Sequence, residues 1–254
     1  MKKNIIYLFA HQDDEFGVYS DICRNIEDHN IYIFYLTNGA TSVLKKTDLS
    51  IRDRESIKVL TKLGIKKKNI IFLGKNADVL CNQLYLNLNK VYNKLFKNLK
   101  RIGNIDMIVT HAWEGGHEDH DACNLIARKI ASHFNILQSS FEFYLYNSYK
   151  TGFIYFRVFN PLNKKGKKIR SIFSERFFFI SLLFKYKSQY KIWIGLYPFI
   201  IFHYLFYGYN FLSKLKKSFK IKKPHKGKLL YEKRKFCKFK DFKTKSKLFI
   251  SDIK

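Results

Sequence analysis

Up to about residue 147 the chain alternates short apolar runs with amphipathic stretches, the pattern of a mostly parallel sheet covered by helices. The runs predict strands near residues 4–9, 31–37, 69–73, 106–110 and 141–146. Between them, a 3.6-residue spacing predicts helices near 14–28, 51–63, 83–101 and 119–134, with Gly64 ending the second. In open sheets of this α/β kind, ligands collect outside the carboxyl ends of the strands. The polar clusters of this sequence fall at such ends.

After residue 150 the pattern changes to a basic and aromatic mixture. It contains Ile192–Ser213, 22 residues without Lys, Arg, Asp or Glu, long enough to cross a bilayer. Pro198, His203, Asn210 and five tyrosines or tryptophans argue against insertion. The segment reads either as an interfacial element lying on a membrane, flanked by Lys185, Lys187, Lys191, Lys214, Lys216 and Lys217, or as a buried aromatic helix. The expected organisation is a catalytic unit over 1–150 and a basic, aromatic, helical extension over 151–254 that completes it and is placed to contact a membrane.

Charge sharpens this division. Of the net +28, residues 1–145 contribute +4 (20 Lys/Arg, 16 Asp/Glu) and residues 146–254 contribute +24 (28 against 4). Such asymmetry suits an anionic partner. A nucleic-acid arm over 214–245 would explain the charge and leave the polar clusters of the first part without a purpose. Cys23, Cys81, Cys123 and Cys237 show no paired short spacing, so they read as reduced thiols. The apolar run Ile5–Ala10 is interrupted too early for a secretory signal, and a cytoplasmic location is expected.

The first chemical cluster is Ala10-His11-Gln12-Asp13-Asp14-Glu15, at a strand-to-helix junction. Carboxylates there can cap free N–H groups, but three acids and a histidine exceed that need. His11 and Asp14, three apart, can face one point as nitrogen and oxygen ligands suited to zinc, with Asp13 beside them as a base. The second cluster is Thr110-His111 followed by Gly115-Gly116-His117-Glu118-Asp119-His120-Asp121. It is either a solvated polar loop or a second pair of imidazoles. Three protein ligands and an open fourth position make a catalytic zinc site; iron or cobalt would also be accepted.

The two blocks, His-x-Asp-Asp-Glu and Gly-His-x-Asp-His about a hundred residues apart, resemble those of the LmbE/PIG-L family of zinc-dependent N-deacetylases, over roughly residues 3–150. The resemblance implies a Rossmann-like three-layer fold and hydrolysis of an N-acetyl group on an N-acetylglucosamine-like conjugate. It implies His11, Asp14 and His120 as zinc ligands, Asp13 as general base, and a charged His117 that steadies the oxyanion or protonates the leaving amine. Arg52, in Arg-x-x-Glu with Glu55, resembles the family's substrate-contacting arginine, and Asp78 stands where an acid binds sugar hydroxyls. Both also read as an exposed ion pair and a turn aspartate. Gln12 departs from the proline usual in the first block, and Lys187-Ser188-Gln189 resembles a later Ser-Gln element. The basic extension suggests a sugar lipid or polysaccharide intermediate at the inner face of the cytoplasmic membrane; hydrolysis of another amide is the alternative.

Overall fold

Ile5-Ile6-Tyr7-Leu8-Phe9 has no polar face, and in the computed structural model of the chain it is fully buried on both sides, as a central parallel strand must be. The structure describes residues 2–40, 46–152, 155–190, 194–216 and 219–250. Strand β1 (Asn4–Phe9) pairs in parallel with β2 (Asn30–Tyr35) on one side and β4 (Met107–His111) on the other. Outside these, β3 (Ile70–Phe72) joins β2 and β5 (Phe141–Phe143) joins β4, again in parallel.

The connecting helices are α1 (Tyr19–Asn25), α2 (Lys46–Lys62), the short α3 (Leu73–Ala77), α4 (Leu88–Ile102) and α5 (Glu118–His133). Alternate residues of β1 feed two cores, which is the period-2 rule of a strand. Ile5, Tyr7 and Phe9 meet Tyr19 and Ile22 of α1 and Val59 and Leu60 of α2. On the other face, Ile6 and Leu8 meet Val91 and Leu95 of α4 and Leu125 and Ile126 of α5. The three-layer α/β expectation is thereby met.

The C-terminal region is not a purely helical appendage. Strand β9 (Tyr209–Lys214) runs antiparallel along β5, and β8 (Lys167–Arg170) runs antiparallel along β9, giving the order β3-β2-β1-β4-β5-β9-β8. A separate small ladder joins β6 (Tyr146–Asn147) to β7 (Arg157–Val158), so the strand expected over 141–146 is divided. Helices α6 (Phe173–Leu183) and α7 (Tyr197–Phe202) add Phe179, Leu182 and Ile200 to the first core. The short α8 (Leu230–Lys233) and α9 (Phe239–Ile250) add Tyr231, Phe242 and Phe249 to the second.

Two expectations are corrected here. The uncharged stretch, whose residues 192 and 193 lie outside the described part, forms α7, a π-turn over His203–Tyr207 and β9 instead of one helix. Gly208, at φ 55°, takes the left-handed turn between the π-turn and β9. No helix among the described residues is long and apolar enough to cross a membrane. The described part of the basic stretch 214–245 is no free arm either, because Phe239 and Phe242 are buried against the domain.

Candidate active site

Strand order reverses direction at β1 and β4, so a crevice opens between the loops that leave their carboxyl ends. The loop after β1 holds Asp13 at φ 107°, a left-handed conformation worth about 1–3 kcal/mol of strain in a residue with a Cβ. The loop compensates with local bonds. His11 N–H donates to Asp14 Oδ2 at 2.7 Å, and Asp13 N–H donates to Glu15 Oε2 at 3.0 Å. Glu15 in turn accepts the hydroxyls of Tyr35, at 2.9 Å, and Tyr186. Burial pushes its carboxyl up to about 8.

Gln12 and Arg52 brace this loop against α2. Gln12 Nε2 donates to Asp53 Oδ1 at 2.9 Å, and Arg52 donates to the carbonyls of Gln12, at 2.8 Å, and Gly39. The glutamine thus makes by side-chain bonding a rigidity that a proline would supply through its ring. Arg52 is buried and stands 3.6 Å from Asp13 Oδ1; Glu55 instead accepts both the N–H and the hydroxyl of Ser188.

The loop after β4 is held from both ends. Asp121 Oδ1 accepts the N–H groups of Glu114 and Gly115 at 3.1 and 3.2 Å. The Glu114 carboxylate accepts Leu145 N–H at 2.7 Å, Tyr146 N–H at 3.1 Å and the Asn147 amide at 3.0 Å. Gly116 is required by the fit, since a Cβ there would stand 2.0 Å from the Tyr146 carbonyl oxygen. His117 caps α5, its Nδ1 accepting the N–H of Asp119 at 3.1 Å. The proton of the neutral ring therefore sits on Nε2. Burial, with His11 and His120 nearby, holds this imidazole well below its ordinary range, which disfavours the charged form.

Between the loops lies the Asp14 carboxylate. It stands 3.4 Å from His11 Nδ1, 3.2 Å from His111 Nε2 and 3.2 Å from His120 Nε2. Burial alone would push its carboxyl up, and the imidazoles of His120, His111 and His11 outweigh that and hold it well below the usual range. His111 and His120 stack at 4.0 Å with their planes 10° apart, and burial pushes His111 down to about 3.

His11, Asp14 and His120 offer ligand atoms within 4.8 Å of one another, all three residues being buried. Neither ring nitrogen of His120 has a hydrogen-bond partner among the described residues. Each buried nitrogen left unsatisfied in this way costs about 1–3 kcal/mol, and a divalent ion between the three residues would take one of them as a ligand. The donor set, two imidazoles and an ionised carboxylate, therefore fits zinc. His11, His117 and Asp119 form another close group, but Asp119 is already engaged. It accepts the N–H groups of Asn82 and Leu84 and bonds His11 Nε2 at 3.0 Å. That last contact fixes the His11 ring and leaves Nδ1 turned toward Asp14.

His11, Asp13, Asp14, Arg52 and His117 line a cavity of about 430 Å³, with the nearly buried His120 packed beside it against Tyr146. Asp78 is not among the lining residues; it is an exposed, left-handed turn residue after α3. Gln189, of the Ser-Gln element, does line the cavity, and so do Leu196, Arg234 and Phe236, which nothing in the sequence pattern singles out. His111 belongs to the second cluster, but only its position at the end of β4 reveals that it stacks on His120.

Residues 6–131 match the family PIG-L, described as GlcNAc-PI de-N-acetylase. No curated protein matches the chain in sequence. Among solved structures, the zinc-inhibited form of teicoplanin deacetylase is similar with a TM-score of 0.61 at 13% identity, over 85% of this chain and 100% of that one. N,N'-diacetylchitobiose deacetylase from Pyrococcus horikoshii gives 0.59 at 16% identity, over 84% and 83% of the two chains. A conserved protein from Thermus thermophilus gives 0.52 at 17%, over 83% and 92%. At these identities the likeness is one of fold, while the sequence match places the paired histidine and aspartate blocks within the family's own span. Through the domain at residues 6–131, the chain belongs to the PIG-L (LmbE-like) family of deacetylases.

Proposed function

We propose that the protein hydrolyses the N-acetyl group of an N-acetylglucosamine-like unit in a larger conjugate, a sugar lipid or polysaccharide intermediate, with zinc held by His11, Asp14 and His120. The observation that carries this reading is the convergence of those three residues beside Asp13, at a cavity that His11, Asp13 and Asp14 line and His120 flanks. Zinc at such a site would polarise the acetyl carbonyl and acidify a water. Asp13, on the cavity wall, takes the proton of the attacking water. Arg52, 3.6 Å away, holds that carboxylate in place. His117, kept in one tautomer by the Asp119 N–H, presents Nε2–H as a hydrogen-bond donor to the developing oxyanion, and the proton taken up by Asp13 passes to the departing amine. Acetate and a free amino sugar are the products.

The test combines metal analysis with acetate release from N-acetylglucosamine conjugates, for wild type and Asp13→Ala. About one zinc per chain in both, with release slowed by about 10²–10⁴ in the variant, is the expected result. A wild type that binds no zinc under zinc-replete conditions overturns the reading.

A second reading concerns location. Phe173, Phe177, Phe184, Phe202 and Phe206 are all more than half exposed on or beside α6 and α7. Next to them an apolar groove of about 560 Å³ is lined by Phe156, Arg157, Val158, Pro198 and Phe199, with the Arg157 residue exposed. We infer that this face rests on the anionic cytoplasmic surface of a membrane, rings in the headgroup layer and Arg157 on the phosphates. Sedimentation with phosphatidylserine vesicles, reduced by added salt and by Phe202→Ser with Phe206→Ser, is expected. A protein that stays in the supernatant at low salt contradicts it.

A further inference from the structure

The cavity contains a second guanidinium whose surroundings differ from those of Arg52. Arg52 is consumed by the protein, through the carbonyls of Gln12 and Gly39 and through Asp13. Arg234 also lines the cavity and is only partly buried. Its side chain makes no hydrogen bond or ion pair among the described residues, and it lies against the Tyr146 ring, 5.7 Å from centroid to guanidinium carbon.

This placement is built by the fold. Leu230 N–H donates to the Gly115 carbonyl at 2.9 Å, tying α8 to the loop that carries His117. Glu232 accepts Leu229 N–H at 2.9 Å, Phe239 N–H at 3.1 Å and Lys223 Nζ at 2.7 Å. Arg234 is the C-terminal cap of α8, so both sides of its backbone are anchored. Next along, Phe236 places its ring 5.7 Å from that of His117. The chain spends a firmly held segment, far outside residues 6–131, to bring a guanidinium to the wall of a cavity whose carboxylates it does not pair with.

The geometry points to Arg234 as an anion-binding subsite: the N-acetylated sugar carries a phosphate or carboxylate group, which the guanidinium receives as a bidentate partner. This rests on the deacetylase reading for the identity of the sugar. A planar fork with unspent donors matches the two oxygens of either anion, and its stacking against Tyr146 fixes the plane of approach. The resulting preference is for anionic over neutral N-acetylated sugars.

The experiment uses the full-length, zinc-loaded protein and three probes: methyl N-acetylglucosaminide, N-acetylglucosamine 1-phosphate and N-acetylmuramic acid. Affinity by calorimetry and acetate release are measured for wild type, Arg234→Gln and Arg234→Lys. The expected result is that wild type favours at least one anionic probe by about tenfold or more, that Arg234→Gln removes most of this preference, and that Arg234→Lys restores part of it. The two anionic probes tell phosphate from carboxylate. Equal affinities for neutral and anionic probes in wild type, or an equal loss for all probes in Arg234→Gln, overturns the subsite. If the preference is present but no probe yields acetate, the subsite stands and the catalytic reading falls. Acetate release without the preference has the opposite meaning.

Discussion

Residues 1–145, with net charge +4, and residues 146–254, with +24, contribute to one cavity in different ways. The first part places its candidate ligands on the loops that leave two neighbouring parallel strands, where a spacing of three residues is enough to bring His11 to Asp14 and His117 to His120. The second part has no such motif. It reaches the cavity by folding back, Gln189 and Leu196 from one layer and Arg234 and Phe236 from the other. The candidate metal ligands thus lie where sequence neighbours are spatial neighbours, whereas the other side chains named here on the cavity wall are brought in from a distance.

The strongest way to break this division is to remove a ligand. His120→Ala is expected to lower bound zinc from about one per chain to none and acetate release by about a thousandfold or more; zinc retained in full would show that the metal, if any, sits elsewhere. Next comes the backbone that carries the second block. Gly116→Ala places a methyl 2.0 Å from the Tyr146 carbonyl, an unyielding neighbour, and is expected to lose about 1–3 kcal/mol of stability in chemical denaturation along with zinc affinity. A variant as stable as wild type would mean that the loop is free to shift.

A smaller effect tests whether the second half supports the first. Tyr186→Phe deletes a hydroxyl that reaches Glu15 across the sequence while Tyr35 still donates to the same oxygen, and should cost about 0.5–1.5 kcal/mol, with zinc still bound. Loss of zinc in this variant would contradict the division of labour. The mildest test is of pH. Burial raises the Glu114 carboxyl from 4.5 to about 8, so the folded state holds this proton more tightly than the unfolded chain. Its contribution is complete below the unfolded value and is lost as pH rises toward about 8. The melting temperature of Glu114→Gln relative to wild type should therefore improve between pH 5 and pH 8. A difference that stays constant removes Glu114 as the cause.

The same contrast explains what could be read in advance. The parallel strands announce themselves because burial on both faces demands unbroken apolar runs such as Ile5–Phe9. The clustering of His11, Asp13, Asp14, His117 and His120 is legible because it is built from particular side chains at short spacing. Strand β9 is not legible, since Asn210, Phe211, Leu212 and Ser213 are all buried and show no alternation, and Asn210 is spent accepting the Ser20 N–H at 2.8 Å. Asp78 looks like a site acid because a left-handed turn also favours aspartate. Arg234 could not be found among 48 lysines and arginines without knowing that Gly115 anchors α8.

Strand β9 also governs when the protein is safe from self-association. Every candidate metal ligand and strands β1 to β5 precede residue 144, whereas β9 closes the side of β5 only through Tyr209–Lys214. Until then, a growing chain presents the unpaired backbone of Phe141-Glu142-Phe143, an open edge to which another copy can add. Once β9 and β8 are in place, the border of the sheet becomes Lys167-Lys168-Ile169-Arg170, mostly exposed and cationic, and two such borders repel each other. The late, basic part of the chain serves in this respect as a guard against aggregation, independent of anything that happens in the cavity.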